Sequence, residues 1–235
     1  MASRKDEREQ RRAARREAEE REAAAAKRRQ LVGYGVAGLL TLAVVIGIVV
    51  VIASGGSDSS SSASTNPNSV PAAAEVGVQT TPPPWDPEYD HLAERLQALG
   101  LPGLNEQIFH IHSFLHVYVN GKPVTVPANI GLKEPTGPFS PIHTHDTSGI
   151  VHMEADQEYP FTIGQFFAVW GVRFSNDQLG PYEQKGDDKL SVYVNGKKVG
   201  DPVNYVMKDH DNISVGYGKP GSFPTKPAAN FPAGL

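Results

Sequence analysis

Residues 117–122 and 192–197 spell the same hexapeptide, VYVNGK. Asn-Gly tolerates the two positive φ angles of a type I′ turn, so each copy fixes a tight hairpin and makes its flanks antiparallel strands. A chain with two such hairpins must build a sheet. Around the first, residues 108–119 are β-rich and residues 122–126 form the returning strand. Alternation along the first strand puts His110, His112, Phe114, His116 and Tyr118 on one face and Ile111, Leu115, Val117 and Val119 on the other. The apolar face belongs to the core.

Other segments supply the helices and remaining strands. Residues 90–99 carry Leu92, Leu96 and Leu99 at helical spacing, and Gly100 stops the helix. Residues 150–155 predict a strand with His152 and Glu154 opposite Val151 and Met153. Thr162 and Gln165 form a capping-box pair, flanked by Phe161 and Phe166 as a hydrophobic staple, for a helix over residues 163–170 that ends at Gly171. A last strand lies near residues 213–217. The order strand, strand, helix, strand, strand predicts an α+β fold, a small mixed sheet with one packed helix in β-grasp-like order; a β-sandwich is the alternative.

Only part of the chain can form this domain. Residues 1–30 are almost wholly Arg, Glu, Ala, Lys and Gln, with eleven basic against seven acidic side chains and no apolar stripe, which predicts a solvated charged helix. Residues 31–53 form an apolar run long enough to cross a bilayer, and longer than the hydrophobic part of a cleavable signal. Lys27, Arg28 and Arg29 abut it, so the positive-inside rule predicts a single-pass plasma membrane protein with a cytoplasmic N-terminus and an extracytoplasmic C-terminal part. Residues 54–84, rich in Ser and Pro, read as a linker, residues 85–218 as the exported domain, and residues 219–235, with four prolines, as an irregular tail. Beyond residue 30 the net charge is −8, which argues against nucleic-acid binding and leaves the membrane and an envelope protein as expected partners.

Six of the eight histidines fall within residues 110–152, and the chain has no cysteine. Imidazoles two residues apart on an extended segment project to the same side and can reach one ion. Here there are two such pairs, His110/His112 and His143/His145, with His116 and His152 beside them. The candidate ligands are His112, His143, His145 and His152, followed by His110 and His116; Asp146 and Glu154 are expected to orient the imidazoles as acceptors or to ligate directly. Nitrogen donors with optional carboxylate suit Zn or Cu, with Fe as a further option, whereas Cu(I) calls for Cys or several Met. His91 and His210 are expected to be ordinary surface residues.

The stretch IHTHDTSGIVHMEA at residues 142–155, with TIGQFFAVWG at 162–171 and HVYVNGKPVTVPANIG at 116–131, resembles a family of exported, often membrane-anchored bacterial and archaeal proteins. In that family LHTHDxSGIIHIES, a strand with HxH, and TLGQFFxxWG recur in this order, matching residues 105–217 here. The resemblance implies membership and brings no established activity with it. Family members often carry a Cys shortly before the HTHD stretch, which this chain lacks. Three functions follow as expectations: non-enzymatic capture or sensing of a transition metal; an interaction or structural module whose histidines only hydrogen-bond; and a metal-dependent hydrolase or oxidase in which Glu154 or Asp146 acts as base.

Overall fold

The computed structural model describes residues 70–106 and 108–232. The charged segment 1–30, the apolar run 31–53 and the linker as far as residue 69 lie outside the described residues, and among the described residues no helix is long and apolar enough to cross a membrane. The fold is mixed α+β, with a main sheet of seven strands, a small second sheet and two α-helices. Two facing sheets, the β-sandwich alternative, do not form among these residues, because the second sheet has only two two-residue strands.

The strands are β1 (Phe109–Val119), β2 (Lys122–Val124), β3 (Ile142–His143), β4 (Ile150–Ala155), β5 (Gln178–Leu179), β6 (Tyr182–Glu183), β7 (Lys189–Val194), β8 (Lys197–Lys198) and β9 (Asp211–Gly218). The main sheet runs β3-β4-β1-β9-β7-β8, with β2 paired to β1. β1 and β9 are parallel and central, while β4 and β7 flank them antiparallel. Both VYVNGK turns take the expected shape: φ is 50° and 78° at Asn120 and Gly121, and 53° and 83° at Asn195 and Gly196.

The strand alternation sorts the two faces as the pattern requires. Leu115, Val117 and Val119 of β1, Val151 and Met153 of β4, and Ile213 and Val215 of β9 enter the core together with helix α2 (Ile163–Trp170). All eight α2 residues are buried, so this helix is enclosed on every side rather than half-exposed. It is held at its start by a complete capping box: Gln165 N donates to Thr162 Oγ1 (3.2 Å) and Thr162 N donates to Gln165 Oε1 (2.9 Å). Thr162→Ala is expected to lower stability by about 1 kcal/mol and Thr162→Ser to restore it. Urea melts of the three proteins measure this.

Helix α1 (Leu92–Leu99) ends at Gly100 as expected, with φ 59° and the Gly100 N–H donating to Leu96 O. It packs with residues 70–85 over α2. Residues 70–84, read from the sequence as the end of the linker, lie against the body: Ala74 is fully buried, Gln79 N donates to Gly171 O at 2.7 Å, and Trp85 meets Trp170 edge-on at 6.1 Å. Beyond β9, residues 219–232 have no regular structure, yet they run back along the sheet face opposite α2. Phe223 stacks on Tyr118, Ser214 Oγ donates to Pro224 O, Asn212 Nδ2 donates to Pro227 O, and Phe231 meets Phe114. Gly216 lets Phe223 in, since a Cβ there would stand 2.4 Å from the ring.

Candidate metal centre

The face left free by this tail, over β3, β4 and β1, carries the histidines. Register sets them side by side: His143 of β3 pairs with His152 of β4, His152 pairs with His112 of β1, and His110 pairs with Glu154. One row of three imidazoles thus crosses three strands, with an imidazole and a carboxylate in the next row.

The residues between the histidines fix their direction. Thr144 is fully buried on the side away from the cluster; its Oγ1 donates to Pro127 O (2.8 Å) and accepts from Ile130 N (3.0 Å). With Thr144 pinned, His143 and His145 must project together on the opposite side. Asp146 Oδ1 then accepts from Ser148 N (2.8 Å), bending the chain toward β4. Gly149 completes that bend at φ 93°, with its carbonyl accepting from Leu115 N at 2.8 Å; a Cβ there would lie 2.5 Å from Leu115 O.

His143 is 1 % exposed, and its Nδ1 lies 3.0 Å from Ser140 O. A carbonyl only accepts, so Nδ1 carries the proton and Nε2 presents its lone pair. That Nε2 is 3.2 Å from His145 Nε2 and 3.8 Å from Glu154 Oε1. Glu154, 7 % exposed, also lies 3.1 Å from His110 Nε2 and 3.4 Å from His152 Nδ1. The His152 contact is too poorly aligned to be a hydrogen bond, and His152 Nδ1 and His112 Nε2 are buried without a partner. Burial holds His143 down to about 4, with neighbouring His145 adding to the effect, and holds His152 down to about 3 with the same helper. Burial, then neighbouring His110, also lowers His112. These imidazoles are therefore neutral at neutral pH, the state in which they donate to metals.

The donors form two sets, His143/His145/His152/Glu154 and His110/His112/His152, each with its ligand atoms within 4.8 Å of one another. Around a tetrahedral ion with bonds of about 2.0–2.1 Å, donors stand about 3.4 Å apart. The 3.2 and 3.8 Å separations at His143 bracket that value. The first set can hold a metal ion.

Five of the six histidines proposed as ligands come together. His116 belongs to neither set; it stacks on Phe114 at 4.6 Å, and burial lowers its pKa. Glu154 lies in the ligand set itself, whereas Asp146 stays at its exposed margin. Asp209 escaped sequence reading: its Oδ1 accepts from His112 N at 3.1 Å. His210 is more than a surface residue, since its N–H donates to His112 O at 2.7 Å and its ring meets Phe231 at 4.7 Å. Only the tertiary pairing of β1 with β9 brings these two near, and the local pattern KDHDN carries no sign of it. His91 sits at the start of α1, 3.1 Å from Glu88 Oε1 and away from the cluster. No family model matches the chain, and no curated protein or solved structure matches it.

Proposed function

We propose that this domain captures or senses a transition metal, Zn or Cu, on the outer side of a membrane and without turnover. The observation that carries the reading is His143: fully buried, its Nδ1 tied to the Ser140 carbonyl, its Nε2 facing another imidazole and a buried carboxylate at distances suited to a shared ion. Fixing a ligand's tautomer through a backbone carbonyl is how proteins orient metal-binding histidines. The absence of cysteine and the single nearby Met153 favour Zn(II) or Cu(II) over Cu(I), with Fe(II) as the further candidate.

The location rests on the sequence: the apolar run 31–53, the basic residues before it, and the resulting single pass with the C-terminal part outside. An envelope protein as partner belongs to the same proposal. So does membership of the exported family, supported by where its motifs fall: HTHD and VHME carry the first donor set, and TIGQFFAVWG is the capped core helix. The β-grasp-like reading draws on the parallel β1–β9 pair between β4 and β7. One observation favours a second reading, a metal-dependent hydrolase or oxidase: His145 is exposed, so an ion in the first set would face solvent.

The test is metal analysis of the full-length chain, purified in detergent without a histidine tag and exposed in turn to Zn, Cu and Fe. Wild type is expected to retain at least one ion per chain and His143→Ala/His145→Ala at least one fewer. Ligand at a hundred times its Kd would add about 2.7 kcal/mol to wild-type stability. No retained metal from any of the three ions overturns the proposal.

A further inference from the structure

The two donor sets overlap at one residue, His152. Its ring lies 4.6 Å from His112 at 90° and 4.5 Å from His145 at 79°, so it stands between the two halves, close to both. An imidazole has two nitrogens, and once the N–H proton is released to solvent on metal binding one ring can hold a different ion with each. Glu154 has the same intermediate place, with Oε1 at 3.1 Å from His110 Nε2 and 3.8 Å from His143 Nε2.

A single ion in the first set would leave the second half unexplained. His112 is 6 % exposed and its Nε2 has no partner, while His110 stands 4.5 Å from it, ring to ring. A buried imidazole nitrogen without a partner is costly, and nothing in a one-ion centre satisfies this one. The carboxylates match a division in two. Asp146 lies at the His145 side, Asp209 holds the backbone N–H of His112 on the other, and Glu154 lies between. Three carboxyl groups are thus distributed along the cluster rather than gathered at one end.

We propose that the cluster is a binuclear centre, one divalent ion held by His143 and His145 and a second by His110 and His112, with His152 and Glu154 shared between them. The proposal rests on the metal-binding reading above and extends it to a second site.

The test titrates the full-length, tag-free chain with Zn after chelator treatment. Two equivalents per chain are expected for wild type, and one for His110→Ala/His112→Ala with unchanged far-UV circular dichroism. One equivalent in wild type overturns the binuclear centre and leaves the single-ion reading standing; none overturns both. Should the double variant fail to fold, Cu(II) loading of wild type decides. Two equivalents whose electron paramagnetic resonance shows spin–spin coupling are expected. Two uncoupled Cu(II) ions, or only one bound, overturn the shared-ligand arrangement.

Discussion

Glu88→Ala is expected to cost the domain about 3–5 kcal/mol, the penalty for removing one partner of a buried ion pair. Arg95 is fully buried, an unusual state for a guanidinium. Its Nη1 donates to Glu88 Oε2 and to Val76 O (3.1 Å), and its Nη2 reaches Val169 O at 3.5 Å, near the carbonyl end of α2. One cation thus ties α1, the 70–85 segment and the core helix. Arg95 and neighbouring His91 hold the Glu88 carboxyl below its ordinary range against the opposing effect of burial. Without Glu88 the guanidinium would keep its charge and lose its counterion. Glu88→Gln should cost less, because an amide oxygen can still accept from Asp90 N, as Glu88 Oε1 does at 2.9 Å. Urea unfolding at pH 7 measures both; a loss under about 1 kcal/mol for Glu88→Ala would mean that water reaches Arg95.

Acidification of the metal-free protein should be the other large effect. His143 and His152 have their pKa pulled from 6.5 to about 4 and about 3, and His112 and His116 move in the same direction. Above pH 7.5 these groups are neutral in both folded and unfolded chains and contribute no difference. As pH falls through 6.5 the unfolded chain takes up protons that the folded one refuses, so stability declines, and the decline ends only near the folded values. For His143 alone this is about 3 kcal/mol by pH 4. The lowered carboxyl of Glu88 adds to the loss below its ordinary value of 4.5. Urea midpoints in chelator should therefore fall steadily from pH 7 to pH 5, and His143→Gln should flatten the curve. A midpoint constant over that range would mean that the imidazoles are hydrated.

Local chemistry wrote the hairpins, the capping box, the Gly100 stop and the alternation of β1 and β4 into the sequence, because each depends on residues within a few positions. The same alternation placed His110, His112, His152 and Glu154 on one face, and the structure keeps them there. What lay hidden was long-range. Arg95 reads as one more charge on a surface helix, and only the packing of residues 70–85 over α1 and α2 buries it. His116 shares the parity of His112, yet Phe114 and the returning tail separate it from the cluster, which period-two reasoning does not register. For Glu154 the sequence left open whether it orients an imidazole or ligates directly, and only the place of β4 between β3 and β1 puts it in the donor set. The docking of the proline-rich tail has no local signal, since Phe223 finds its place only through the missing side chain of Gly216.

The parallel pairing of β1 and β9 sets a timetable. Ser113 must wait for Asp211, nearly a hundred residues later, before the centre of the sheet can zip. At about 5–20 residues per second of synthesis, β1 spends seconds as an open edge offering its N–H and C=O groups to any extended chain nearby. Until the final strand arrives, β1, β4 and β3 can pair and assemble the histidine row, His112 beside His152 beside His143, on an unfinished sheet. A nascent chain at that stage is the form most exposed to wrong pairing and to premature capture of an ion, and the last strand delivered ends both hazards at once.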